Sequence, residues 1–266
     1  MKNFIFFIFW LSYAALAVDL PQRNCLSTRE YVTSLNFLRE QKALGLEEKD
    51  ARNLADLVSK GCTGAAQRFI KTTNLLVQAE LPSRIAITTA QEMSGKSDQV
   101  SENFAQIFAK VYLEKFFDLP ASEALRLARS LAFDIERSPS KVIEDFTILS
   151  DFCLSRKGLD LPLAQCLALM EKVIPQGREQ EDSVAKAFIR LFEFLSSDEK
   201  GPKMATLKAI EEGKKTIQYG PNAVDNFIQA YAFATSATGL GLTYGQGVEF
   251  AQKLSERTVK SVKKTP

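Results

Sequence analysis

The chain has 266 residues, 45% of them hydrophobic, with 34 Lys and Arg against 32 Asp and Glu and no histidine. A nearly balanced charge argues against a general nucleic-acid binder or a membrane-surface binder. The missing histidine removes His-activated nucleophiles and the commonest ligand of zinc, copper and iron.

Lys2 precedes an apolar run from Phe4 to Leu11, and Ala15-Leu16-Ala17 follows. A positive start, a short apolar stretch and a small-x-small site read as a secretory signal peptide over 1–17, cut after Ala17. The expected destination is the bacterial periplasm or the exterior. No later stretch reads as a membrane span. The mature chain, 18–266, is expected to be a single α-helical domain.

Ser27-Thr-Arg-Glu30 forms a capping box that opens a helix over 28–43. Gly45 breaks that helix, the next runs to Lys60, and Gly61 offers a left-handed cap. Further helices are expected over 64–79, 82–94, 100–117, 120–136 and 140–156, then one that ends near Ile174. The polar connection 175–182 is expected to be a flexible joint. Helices follow over 182–197 and to Tyr219, then from an Asn222 N-cap, with the last running to 262. No segment alternates in period two over successive stretches, so no sheet is expected.

One small motif recurs along this series: a Leu, a small residue five later and an Ala four after that. Its copies are Leu46/Ala51/Ala55, Leu81/Ala86/Ala90, Leu119/Ala124/Ala128, Leu159/Ala164/Ala168 and Leu242/Gly247/Ala251, with a weaker Met204/Ala209/Gly213. The Leu anchors lie 35, 38, 40, 45 and 38 residues apart, counting Met204 as one. Residues four apart share a helix face, and small ones there admit a second helix. Each unit also has a Phe on the helix before the motif: Phe37, Phe69, Phe108, Phe146, Phe188 and Phe227. The expected fold is all-α, a solenoid of about six antiparallel helical hairpins with repeats of about 40 residues. In general form it resembles the TPR and HEAT arrays, although it carries neither consensus.

Four cysteines in an exported chain read as two disulfides. Cys153 and Cys166 flank one turn symmetrically, and Cys25 and Cys62 flank the turn at Gly45, so those are the expected pairs. The pairing rests on residues equidistant from a hairpin turn facing each other.

No catalytic or cofactor motif emerges, and no metal site is expected. The acid clusters Glu47-Glu48-Asp50, Glu179-Glu181-Asp182 and Glu211-Glu212 read as helix-start or solvated acids. Gly239-x-Gly241 lacks the strand and the lysine of a phosphate loop. Phe194 and Phe233 lie six residues beyond the repeated Phe, about 120° around the helix, and are the candidate binding surface. The favoured function is a non-catalytic binding or scaffold module for a protein or peptide. The alternatives are a cell-wall enzyme with paired carboxylates and a structural envelope protein without a specific ligand.

Overall fold

The computed structural model describes residues 27–40, 44–132 and 137–262, with side chains of the last helix described to Glu256. The segment read as a signal peptide, and Cys25, lie outside the described residues. Among those described, the chain is all-helical and forms no strand. The twelve α-helices are α1 (Thr28–Glu40), α2 (Glu48–Ser59), α3 (Ala65–Gln78), α4 (Ser83–Ser94), α5 (Asp98–Phe108), α6 (Ala121–Ala132), α7 (Pro139–Leu154), α8 (Leu163–Val173), α9 (Val184–Ser196), α10 (Thr206–Ile217), α11 (Ala223–Thr235) and α12 (Tyr244–Val262). A π-helical turn, Ala109–Leu113, ends α5.

Each odd-numbered helix packs on the even-numbered helix that follows it. The odd helices also touch in succession, α1 to α3 and onward to α11. Contacts between even helices are slighter, and join α2 to α4, α6 to α8, α8 to α10 and α10 to α12. None of these helices is long and apolar enough to cross a membrane.

One turn geometry recurs between the paired helices. Gly45, Glu80, Asp118, Asp160, Lys203 and Gly241 all have positive φ, between 49° and 62°, at intervals of 35 to 43 residues. The left-handed conformation costs a non-glycine residue about 1–2 kcal/mol. Four of the six are not glycine, so the surrounding structure imposes it. The next residue is Leu46, Leu81, Leu119, Leu161, Met204 or Leu242 in turn. In three copies its amide closes the turn: Leu161 onto the Cys153 carbonyl (2.9 Å), Met204 onto Leu195 (2.8 Å) and Leu242 onto Ala234 (2.8 Å).

This turn corrects the fourth copy of the sequence motif. Its anchor is Leu161, not Leu159, and its inward residues are Cys166 and Met170, both fully buried. Ala164 and Ala168 face outward. At the other five copies the small residues are buried as expected. A Cβ on Gly213 would stand 2.9 Å from Phe188 Cε2, and one on Gly247 would stand 2.5 Å from Thr235 Cγ2. The even helices therefore approach the odd ones closely because their side chains there are small.

The aromatic series also shifts. The residues in equivalent positions are Tyr31, Phe69, Phe104, Phe146, Phe188 and Phe227, the five Phe being wholly buried. Phe37 instead leans on Phe69 of the next odd helix, edge to face at 6.2 Å. Phe108 stacks below Phe104. Gly61 is not the left-handed residue after α2; Cys62 is, at φ 64°.

Candidate functional site

On four odd helices, the residue before the inward aromatic is polar and reaches forward to the start of the next odd helix. Glu30 accepts from the backbone N–H groups of Gly64 (3.2 Å) and Ala66 (2.7 Å) at the start of α3. It does not close the capping box expected from the sequence, although Ser27 Oγ accepts from the Glu30 amide. Arg68 donates to the Ser94 and Gly61 carbonyls and to Asp98 Oδ1 at 2.6 Å, at the start of α5. Asn103 donates to the Arg137 carbonyl at 3.1 Å, just before α7. Asp145 accepts from the Ala185 amide at 3.1 Å and from Ser183 Oγ at the start of α9. These clasps satisfy helix-start donors or neighbouring carbonyls that burial would otherwise leave unpaired.

At the next step the series breaks. The residue before Phe188 is Ala187, whose methyl group cannot reach α11. A cleft of about 410 Å³ opens there, across α7, α9 and α11. Its walls carry Lys141 and Glu144 from α7, Lys186 and Arg190 from α9, Asp225 from α11, and Glu181 from the preceding loop. Arg137, only 2% exposed, is a further lining residue. Its Nη2 pairs with Asp145 Oδ2 at 2.6 Å, while its Nε has no partner. A Cβ on Gly177 would stand 2.0 Å from Arg137 Nη1, so only glycine lets the backbone pass the guanidinium.

The loop over 175–182 is tied at two points. Glu179 accepts from the Ser138 amide at 2.7 Å, and Glu181 Oε1 accepts from Asn222 Nδ2 at 3.2 Å. Asn222 stands at the start of α11 but is itself in helical conformation and makes no side-chain cap. Glu181 from the loop thus takes over part of the absent clasp, and its Oε2 is buried without a partner.

Charge alternates across the cleft. Lys186 pairs with Glu144 at 2.7 Å, and Arg190 with Asp225 at 2.8 Å. The Lys186 hydrogen bond holds the Glu144 carboxyl below its usual range, and Glu144 in turn raises the lysine. A general acid needs a carboxyl shifted the other way. Among the described residues, the one hydroxyl lining the cleft, Ser183 Oγ, donates to Asp145 and accepts from the Lys186 amide. Among the described residues, the cleft therefore presents paired lysine, arginine and carboxylate groups together with one hydroxyl already engaged at both its donor and acceptor.

Neither aromatic candidate faces this cleft. Phe194 is half-buried under the edge of Tyr231 at 5.3 Å, whereas Phe233 is 54% exposed near the end of α11. Of the acid clusters, Glu181 and Asp182 line the cleft. Glu47 is exposed at the start of α2, and Glu211 and Glu212 pair with Lys214 and Lys215. Cys153 and Cys166 are joined in a disulfide with Cα atoms 5.5 Å apart, and Cys62 is also disulfide-bonded. Among the described residues, no group of three or more acidic or Cys side chains could hold a metal ion. Sequence reasoning missed Lys141, Glu144, Lys186, Arg190 and Asp225. The signal for them was Ala187, the small residue standing where four other odd helices have Glu, Arg, Asn and Asp. No family model, curated protein or solved structure matches this chain.

Proposed function

We propose that this chain is an exported, non-catalytic binding module: a solenoid of six helical hairpins that holds a protein or peptide partner of mixed charge. The observation that carries the reading is the cleft itself. Three successive odd helices supply it, it is open, and it offers lysine, arginine and carboxylate groups in alternation. Extended partners lie across successive units of helical arrays in this way. The recurring turn, the even-on-odd packing and the forward clasps support the array. The composition of the N-terminal segment supports export.

A wall-acting enzyme would use paired carboxylates, and the cleft is lined by Glu144, Glu181, Asp182 and Asp225. Glu144 is paired with Lys186, Asp225 with Arg190, and Glu181 accepts from Asn222 and Arg178, which favours binding over catalysis.

The test is crosslinking of the oxidised protein in its native secreted or envelope fraction, with identification by mass spectrometry. We expect one dominant protein partner whose crosslinks converge on Lys141 and Lys186. The double change Lys186→Glu with Arg190→Glu should abolish them while leaving the helical circular dichroism intact. Wall fragments retained or cut, with no protein captured at those lysines, would overturn the reading.

A further inference from the structure

We propose that the cleft grips an acidic stretch of its partner by the side-chain carboxylates, and that the acidic loop over 175–182 is a strap lying in the same cleft as an internal competitor. The proposal rests on the reading of the cleft as a binding site and names what that site selects.

The first observation is how the strap is held. From Gly177 it reads Gly-Arg-Glu-Gln-Glu-Asp, with no apolar side chain. Ile174 before it and Val184 after it are buried, whereas Arg178, Glu179, Gln180 and Asp182 are exposed. Its ties are polar. Glu179 accepts from the Ser138 amide at 2.7 Å, Lys141 Nζ donates to the Glu179 carbonyl, and Glu181 accepts from Asn222 Nδ2 at 3.2 Å. A segment without buried apolar contacts belongs to the least stable part of a fold. Two of its carboxylates already sit on donors at the starts of α7 and α11, which are the positions an acidic ligand would contest.

The second observation is what the closed strap leaves unsatisfied. Arg137 lies against Gly177 and is 2% exposed. Its Nη1 reaches the Ile174 carbonyl at 3.5 Å, and its Nε has no partner among the described residues. On the strap itself, Glu181 Oε2 is buried without a partner among them. A buried donor or acceptor left unpaired carries its desolvation penalty in full. The closed state holds one of each, so a ligand that lifts the strap returns Glu181 to water and brings a carboxylate to the guanidinium.

The third observation is charge. Glu181 and Asp182 belong to the strap. Without them, the described walls carry Arg137, Lys141, Lys186 and Arg190 against Glu144 and Asp225. Asp145 answers Arg137, and the cations still exceed the acids. That excess favours an acidic segment over a basic one.

The probe is a fluorescently labelled hexaglutamate with an amidated C-terminus, so that side-chain carboxylates are its only acids. Hexalysine of the same design is the counterpart, and both are read by anisotropy at low salt. The protein should bind hexaglutamate and not hexalysine. Glu179→Ala with Glu181→Ala cuts the strap's ties and should raise affinity for hexaglutamate by about fivefold or more, because the open state is then more populated. Its helical circular dichroism should match wild type. Adding Lys186→Glu and Arg190→Glu should abolish the binding. Lys49→Glu with Lys208→Glu changes the net charge equally on exposed residues outside the cleft, and should leave most of it in place. Trypsin reports the strap's position: saturating hexaglutamate should speed cleavage of wild type after Arg178. Preference for hexalysine, no binding of either peptide, equal affinity in the strap variant, or binding without faster cleavage after Arg178 each overturns the proposal. A native partner still crosslinked at Lys141 and Lys186 in any of those cases would leave the cleft reading standing and remove only the strap and its acidic ligand.

Discussion

Asp145 and Arg137 form an ion pair of 2.6 Å in which both side chains are almost wholly buried, 1% and 2% exposed. The same carboxylate also accepts from Ser183 Oγ and the Ala185 amide, so one acid ties the loop before α7 to the start of α9. Removing one member of a buried pair leaves the other charged and unsolvated, at a cost of about 3–5 kcal/mol. Asp145→Ala should therefore lower stability by about that amount in urea unfolding followed by far-UV circular dichroism. Arg137→Leu combined with Asp145→Leu should cost less than Asp145→Ala alone, because no orphan charge remains. A larger loss in the double variant would mean that the pair's worth lies in attraction rather than in mutual neutralisation.

Three turns depend on glycine for space rather than for an unusual φ. A Cβ on Gly158, Gly201 or Gly239 would stand 1.9, 1.7 or 1.8 Å from the carbonyl oxygen of Phe152, Phe194 or Phe233. Those oxygens are backbone and cannot step aside. Gly201→Ala should destabilise the protein by roughly 1–3 kcal/mol, as overpacking does. Gly245→Ala, where nothing lies within 4 Å, is the control and should be neutral or slightly stabilising, since it sits in α12. Equal melting temperatures for the two variants would sink this account of the turn.

The helices were legible because their signals are local. Leu then Pro, at Leu81-Pro82 and Leu119-Pro120, marks a helix start whatever surrounds it. The fourth anchor slipped by two residues because Leu159 and Leu161 both precede α8, and Ala164 and Ala168 mimic the small pair. Pro162 directly after Leu161 was the clue that fixes the register. The cleft was not legible, because it arises from what Ala187 fails to do across a gap of some 40 residues. Glu30 shows the same limit. Read locally it completes a capping box, but in three dimensions its carboxylate serves a helix 34 residues away.

The disulfide at Cys153 and Cys166 joins the end of α7 to the first turn of α8 and closes a loop with a sequence separation of 13. A loop of that size restricts the unfolded chain by about 3 kcal/mol on the chain-entropy account. Cys166 also fills the inward place taken by Ala51, Ala86, Ala124, Ala209 and Gly247 on the other even helices. Cys153→Ala with Cys166→Ala should thus lose the crosslink without opening a large cavity. The urea midpoint should fall by an amount corresponding to about 3 kcal/mol, with the slope steeper than in the oxidised wild type because the unfolded chain expands. An unchanged midpoint would show that the crosslink does not constrain the unfolded state.

Glu48 should give the clearest acid dependence. The hydrogen bond from Arg39, and then that from Arg52, hold its carboxyl down at about 2. In the unfolded chain a glutamate titrates near about 4.3. As pH falls, the unfolded state therefore takes the proton first, and stability drops with it. The contribution of this pair is present in full above about pH 4.3 and fades as pH falls towards 2. Glu102, Glu144 and Glu179 are also held low by their partners, so wild type alone cannot isolate one acid. Glu48→Gln can, because the other three are common to both proteins. Urea unfolding of the two should show wild type more stable at pH 7, with the difference shrinking below about pH 4.3 and nearly gone at pH 2. Glu48 is exposed, so salt should shrink the difference as well. A difference that stays constant from pH 7 to pH 2 would mean that the glutamate acts through its packing on α2, and that its two arginines contribute no net charge stabilisation.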